Sequence, residues 1–324
     1  MNVEAGTGNS DGWSHAWEKR SARLRDRIAQ AQRLYRWAMT RLDRLLPDWF
    51  ILIRKWRRMH GRFPRIVHPA TFNEKILHRI LFDRSAILTR CADKEAVRGL
   101  VEERLGAGVL PRLHCLTADP RTILVSELPD RFVVKPTHGS GWVEIVRDKQ
   151  SLDFKALVRR CEAQLKDSYY RQTREWAYRD VPPQILIEEF IDDGGETPND
   201  YKLFVFGGSV RLVHVDVNRF GDHRRNLYTA DWREIGQHIE AGRKIAGSLP
   251  PPPHLDEMIA AAETLARDME FARVDFYDTA ERFYFGEITM TPGCGLNVHL
   301  PRDLDLHLGK LWRKRACQGP SPGD

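Results

Sequence analysis

The stretch DYKLFVFGGSVRLVHVDVNRF, residues 200–220, constrains the fold more than any other segment of the chain. Two alternating runs flank Gly207, Gly208 and Ser209, a loop length at which strands turn back on each other as a hairpin. In the second run Arg211, Val213, Val215 and Val217 are expected on one face, and Leu212, His214, Asp216 and Asn218 on the other. One face is then core and the other lines something polar. Further strands are expected around it, in sheets that are largely antiparallel.

Those strands are readable on both sides of the hairpin. ILVSELPDRFVVKPTHGSGWVEIV gives two strands around a Gly-Ser-Gly turn, and PQILIEEFI is a buried strand running into the Asp-Asp-Gly-Gly loop at 192–195. FARVDFYD and RFYFGEITM form a last pair joined by a short polar turn. Helical patterns fall between them. Thr71 with Glu74 makes a capping box, Asp93 is placed to cap a following helix, residues 151–170 are amphipathic, and a further helix is expected over about 254–270. Strands and helices do not alternate regularly, so the chain is expected to be α+β, with largely antiparallel sheets.

At 324 residues the chain exceeds what one core usually spans, and two or three lobes are expected. No run of about 18 apolar residues suggests a membrane span, and the N-terminus has no secretory pattern. Five cysteines (Cys91, Cys115, Cys161, Cys294 and Cys317) are scattered and never at CxxC spacing, which argues against a disulfide framework or zinc site and fits a reducing cytoplasm. Charge is concentrated near the start. Between Trp13 and His68 there are 15 lysines and arginines against four acids, a balance of +11 that leaves the rest of the chain at −5. A helix over about 13–46, stopped at Pro47, and a second one ending at Gly61 carry that charge.

Several residues can carry chemistry. Asp275 and Glu287 sit in apolar strands joined by a turn, so their carboxylates can lie side by side. Such a pair repels unless a proton or cation separates them, and hard carboxylate oxygens suit Mg²⁺. Arg273 points to the same face as Asp275. The alternative is a solvated polar face. Lys135, at the end of FVVK, is a costly buried charge unless an anion receives it, and Gly139 and Gly141 beyond it allow backbone amides close to phosphates. Read alone it is more often a strand end, and His138 a solvated loop residue. Glu188 and Glu189 end a strand that can offer amides to a purine and a carboxylate to ribose, or simply face water. Lys202 is a further phosphate candidate.

In chain order Asp93-Lys94, VVKPTHGSG, ILIEEFI, DYKLFVFGG, ARVDFYD and FYFGEITMTPGCG resemble the ATP-grasp superfamily. TFNEKI, ADKEAVR, NDYKLFVFGG and GEITMTPGCG resemble, more narrowly, the TupA-like ATP-grasp family, linked to teichuronopeptide and other surface-polysaccharide biosynthesis. The resemblance covers about residues 60–310. It implies an ATP-grasp fold, two α+β lobes holding ATP between them, preceded here by a basic helical extension. The implied divisions are 1–60 for the extension, 61–130 for a small preceding region, 131–200 for the first lobe and 201–315 for the second. It implies Lys94 and Lys135 as ligands of the ATP phosphates and His138, Gly139, Ser140 and Gly141 as a mobile lid. Glu188 and Glu189 fall at the adenine and ribose hinge, and Lys202 and Arg273 near the transferred phosphate. Asp275, Glu287 and Thr289 become Mg²⁺ ligands. Where many ATP-grasp ligases read Asn-Glu-x-Asn, this chain has Gly286-Glu287-Ile288-Thr289, which leaves one or two metal ions open.

The implied reaction joins a carboxylate, activated as an acylphosphate, to an amine. A carboxylate-bearing glycan or an amino acid is the expected substrate, and His214, Asp216, Asn218, Arg219, Arg224 and Arg225 are candidate contacts. A glycosyl- or phosphotransferase that keeps the fold is the alternative, and a non-catalytic nucleotide-binding partner another. The basic extension has two readings: peripheral contact with the inner face of an anionic membrane, or packing on the body or a second subunit. Nucleic acid is not an expected partner.

Overall fold

The computed structural model describes residues 45–194, 197–218, 222–235, 244–245, 247–297 and 300–313. The helix expected over about 13–46 therefore lies almost wholly outside the described residues, as does Arg219. The chain divides into two compact units, Met1–Ile51 and Leu52–Asp324. The second holds both sheets.

The larger sheet has six strands in the order β10-β9-β5-β6-β7-β8. They are β5 (Asp200–Phe206), β6 (Ser209–Val217), β7 (Arg224–Tyr228), β8 (Lys244–Ile245), β9 (Phe271–Asp278) and β10 (Phe283–Thr289). All its pairings are antiparallel except β7 with β8. The hairpin is β5 and β6, and it turns through Gly207 and Gly208 at φ +59° and +84°. Two successive positive φ values match the right-handed twist of the strands, and glycine reaches them without a Cβ penalty. One expectation is corrected. Leu212 pairs with Phe204 and Val210 with Val205, so Arg211 is an extra residue on its strand. It bulges out to solvent instead of sharing the face of Val213 and Val215.

The two faces of β5 and β9 differ. Tyr201, Leu203 and Val205 with Val274 and Phe276 pack under α7 (Leu255–Leu265) and under α3 (Ala86–Ala92) and α4 (Ala96–Leu105). The opposite face is split along its length. Phe204, Phe206 and Phe271 are covered by α1 (Asp48–His60), α2 (Phe72–Phe82) and α8 (Arg302–Leu311) through Trp56, Phe72, Ile76, Leu308 and Trp312. Asp200, Lys202, Arg273 and Asp275 continue the same face beyond this apolar cover. That uncovered end is where the smaller sheet approaches.

The smaller sheet runs β1-β4-β2-β3, from β1 (Leu113–Thr117), β2 (Phe132–Pro136), β3 (Glu144–Val146) and β4 (Ile185–Glu189). Phe132, Val134, Ile185 and Ile187 pack on Leu157 and Cys161 of α5 (Phe154–Lys166), and a short helix α6 (Tyr169–Thr173) follows. Residues 61–130 are shared between the two bodies: α2, α3 and α4 join the cores of the large sheet, and β1 pairs with β4.

Helix α2 begins with the expected capping box, in which Thr71 and Glu74 satisfy each other's amides. Helix α8 crosses this cap at Gly309, where an added Cβ would stand 2.2 Å from the Ala70 oxygen and 2.9 Å from two backbone carbons of Thr71. Alanine is favoured over glycine inside a helix by about 1 kcal/mol, but a backbone clash of this kind costs about 1–3 kcal/mol. Gly309→Ala should therefore destabilise the protein, measured as a lower urea midpoint. Gly108→Ala, at a glycine with nothing within 4 Å, should leave the midpoint unchanged.

Candidate functional site

Strand register sets one row of side chains across the large sheet. Glu287 pairs with Asp275, Asp275 with Lys202, and Lys202 with His214. A second row places Asp200 opposite Asp216 and Asp216 opposite Arg225. Glu287 owes its place to a bulge, because Phe285 pairs with Phe276 and Glu287 with Asp275, leaving Gly286 as the extra residue. A Cβ on Gly286 would meet the Asp275 oxygen at 3.0 Å and the Tyr277 ring at 3.2 Å. Glycine at this position lets β10 close on β9 while turning Glu287 toward Asp275.

Arg273 clamps the acids. Its Nε donates to Asp275 Oδ1 at 2.7 Å, and Nη2 donates to Asp275 Oδ2 at 2.6 Å, Glu287 Oε1 at 2.8 Å and the Thr289 hydroxyl at 2.9 Å. Burial of Asp275 pushes its carboxyl up to about 7 despite Arg273 and Lys202, and the nearby Glu287 and Asp200 add to the rise. Burial acts on Glu287 in the same direction, but Arg273 and Lys94 prevail and hold it down to about 2. Glu287 keeps 41% of its side chain exposed, so an ion from solvent can reach it. Lys202 is nearly buried among acids. It pairs with Asp200, lies 2.8 Å from Asp216 Oδ2 and stands 3.9 Å from Asp275 Oδ2.

The donor set suits magnesium. Two carboxylates and a hydroxyl are hard oxygen ligands, and Mg²⁺ commonly takes its remaining ligands from phosphates and water. Among the described residues no group of three or more His, Cys, Asp or Glu gathers as a metal cage, so this smaller set is what the site offers. The Arg273 guanidinium fills the cation's place between the acids.

The opposite wall comes from the small sheet. Lys135 pairs diagonally with Glu188, and Arg98 Nη1 stands 3.9 Å from the same carboxylate. Glu189 accepts a hydrogen bond from the Arg112 amide at 3.0 Å. Lys94 donates to the Gly139 oxygen, and burial pushes its ammonium down to about 8. Lys94, Arg98, Lys135, Tyr178, Glu188, Glu287 and Thr289 thus line one narrow cleft. Lys135 and Glu188 also border an adjoining slot walled by the apolar side chains of Val133, Val143, Ile145 and Phe190.

The glycine loop lies against this wall. A Cβ on Gly139 would meet the Trp142 ring at 2.7 Å, and Gly141 has φ +80°. Ser140 is hydrogen-bonded to Tyr169, whose ring packs edge-on against Trp142. His138 is turned inward, 4% exposed, with Nε2 donating to the Gln164 oxygen of α5 at 3.2 Å. It anchors the loop to the small lobe instead of facing the cleft. The closing segment after Thr289 is tied down as well. Buried Glu175 accepts from the Thr291 hydroxyl and from Cys294 Sγ at 3.0 Å.

The structure thus gathers Lys94, Lys135, Glu188, Lys202, Arg273, Asp275, Glu287 and Thr289, with Gly139, Ser140 and Gly141 adjoining. Sequence reasoning missed Arg98, Glu175, Tyr178 and Asp200. Asp200 was accessible to it, since it shares a strand face with Lys202. The others are brought in by long-range packing and carry no local signal. A more voluminous cavity, about 740 Å³, lies elsewhere, lined by Lys75, His78, Arg79 and Trp312, and holds none of the candidate residues.

The sequence profile of TupA-like ATPgrasp proteins matches residues 74–313. No curated protein matches the chain. Among solved structures, a D-alanine–D-alanine ligase from Bacillus anthracis is 18% identical with TM-score 0.41, over 64% of this chain and 60% of its own. The ATP-grasp ligase PsnB, complexed with a minimal precursor, is 14% identical with TM-score 0.40, over 74% of this chain and 68% of its own. An L-amino acid ligase from Bacillus licheniformis is 16% identical with TM-score 0.39, over 64% of this chain and 42% of its own. The profile match spans most of the chain and includes every candidate site residue, and on it the chain belongs to the TupA-like ATP-grasp family.

Proposed function

We propose that the protein is an ATP-dependent carboxylate–amine ligase whose nucleotide lies in the cleft between the two sheets. One observation carries this reading: Glu287, Asp275 and Lys202 form a single row on the large sheet, and Lys94, Lys135 and Glu188 line the same cleft from the other side. The purine occupies the apolar slot beside Val133 and Phe190. Lys135 and Lys94 hold phosphate oxygens, exchanging their present partners Glu188 and Gly139 for a more charged acceptor. Asp275, Glu287 and Thr289 would hold magnesium, which when bound draws charge from the phosphates as the terminal phosphoryl group transfers.

Arg273 leaves the space between the acids and turns to the transferring phosphate. Lys202 neutralises the attacking carboxylate beside it. The product of this step, an acylphosphate, is sensitive to water, so the loop over Gly139–Gly141 serves as a cover as well as a phosphate cradle. An amine then displaces phosphate and leaves an amide. The carboxylate is carried by a uronic-acid glycan or an amino acid, in keeping with Arg224 and Arg225 on β7 and with the family's link to surface polysaccharides. The work takes place in the cytoplasm, with the basic extension at the membrane's inner face. Among the described residues no helix is long and apolar enough to cross a membrane.

A screen of uronic acids against amino acids for phosphate release tests the reaction, and release should require both. Lys135→Ala and Glu287→Gln should each weaken Mg²⁺-ATP binding by tenfold or more, roughly the value of one hydrogen bond to a charged group. Calorimetry that finds either variant unchanged would remove the nucleotide from this cleft.

Asp275 adds a pH test. Its folded carboxyl sits near 7 and an unfolded aspartate near 3.9. Below 7 the folded protein holds a proton that the unfolded chain releases, so this contribution to stability appears as pH falls and is lost as pH rises through 7. In metal-free protein the stability difference between wild type and Asp275→Asn should shift toward wild type between pH 8 and pH 5.5, read from paired urea titrations. A difference that does not vary with pH would show Asp275 ionised throughout.

A further inference from the structure

Asp216 is the meeting point of a buried ionic cluster that the phosphate chemistry leaves partly unused. Its Oδ2 lies 2.8 Å from Lys202 Nζ, and its Oδ1 accepts from Arg225 Nε and, at 2.8 Å, from His223 Nε2. Burial opposes its ionisation, yet the surrounding His214, Lys202 and Arg225 hold it far below the usual carboxylate range. Asp216 is therefore an acceptor, and the ring nitrogen of His223 that faces it carries the hydrogen. The second ring nitrogen, Nδ1, is left as a lone pair with no partner among the described residues. The His223 side chain is 26% exposed, whereas His214 approaches the same oxygen at 3.2 Å in poor hydrogen-bond geometry.

A carboxylate that fixes one imidazole nitrogen as a donor leaves the other as a base, and it stabilises the imidazolium formed when that base takes a proton. The ligase reading needs such a group. An amine near neutral pH is mostly ammonium, and forming an amide requires that its protons be removed. His223 is one carboxylate away from Lys202, and Lys202 is 3.9 Å from Asp275. His214 lies in the row as well, but its Nε2 is buried and turned to the same Asp216 oxygen.

We propose that His223 is the base for the attacking amine and that Asp216 sets its tautomer. This rests on the ligase reading and extends it to the second half of the reaction. The amine nitrogen bonds to the acyl carbon, the bond from that carbon to the phosphate oxygen breaks, and the electron pair leaves with phosphate. The amine proton passes to Nδ1 of His223 and from there to water. The groups facing His223 are Asp216 and His214 from β6, Arg225 from β7 and Lys202 from β5, with Asp222 beside it in the chain.

Two measurements decide the matter. The first needs no substrate: ¹⁵N spectra of histidine-labelled, nucleotide-free protein should give His223 as the Nε2–H tautomer, and Asp216→Asn should disturb it. An Nδ1–H tautomer overturns the proposal. The second separates the half-reactions, using ATP, a uronic acid that gives a hydroxamate with the wild type, and either hydroxylamine or L-alanine. Hydroxylamine is neutral near pH 7 and traps an acylphosphate without a base. His223→Gln keeps a donor toward Asp216. It should retain hydroxamate formation and lose amide formation by about 100-fold or more, the usual worth of a positioned base. Added imidazole should partly restore amide formation to His223→Ala. Equal loss of both products, or amide formation at the wild-type rate, overturns the role of His223. A wild type that makes no hydroxamate with any uronic or amino acid overturns the ligase reading itself, and this role with it.

Discussion

Two carboxylates, Asp275 and Glu287, stand side by side on neighbouring strands, and the rest of the site follows from the need to keep them there. Like charges in a partly buried setting separate, take up a proton, or acquire a cation. The last two operate here. Asp275 is pushed toward protonation, Glu287 is held ionised, and Arg273 spans both. Replacing such a clamp with apolar side chains would not weaken the sheet, since buried ion networks seldom repay their desolvation in stability. The sheet carries them at the one end of the face that the aromatic residues under α1, α2 and α8 leave uncovered.

The small sheet supplies the complementary charge by the same logic of register. Lys135 and Glu188 lie on the face opposite Phe132, Val134, Ile185 and Ile187, so the alternation that builds the α5 core also aims the lysine into the cleft. Each cation there is held by a weak or shared acceptor: a peptide oxygen for Lys94, a carboxylate shared with Arg98 for Lys135. Under the proposed function, a polyphosphate would offer both lysines a more charged acceptor. The anchored His138 fixes one end of the glycine loop, in which Gly141 takes a positive φ of +80°.

How much of this was legible follows from the range of each interaction. The hairpin was readable from two alternating runs and a glycine pair, and the pairing of the last two strands from the short turn between them. Both are local. Parity along a strand was enough to put Arg273 with Asp275, and would have put Asp200 with Lys202. It failed at Arg211, where a bulge that no composition signals breaks the alternation. The inward turn of His138 depends on α5 packing beneath it, and the gathering of His223, Arg225 and Lys202 on Asp216 depends on which strands become neighbours. Such contacts are properties of the folded sheet, and motif order could point to their neighbourhood but not to their geometry.

The position of Arg273 bears on how the site fills. Its guanidinium satisfies the same three oxygen groups, from Asp275, Glu287 and Thr289, that a magnesium ion would use. A bare ion must displace it and leave a buried cation without a partner, which is costly. A phosphate arriving with the ion removes that cost by giving the guanidinium an acceptor of its own. Under the proposed function, binding of metal and nucleotide would therefore be coupled through one side chain. The free protein should have little affinity for the ion alone, because the exchange becomes favourable only when both partners of the new arrangement are present.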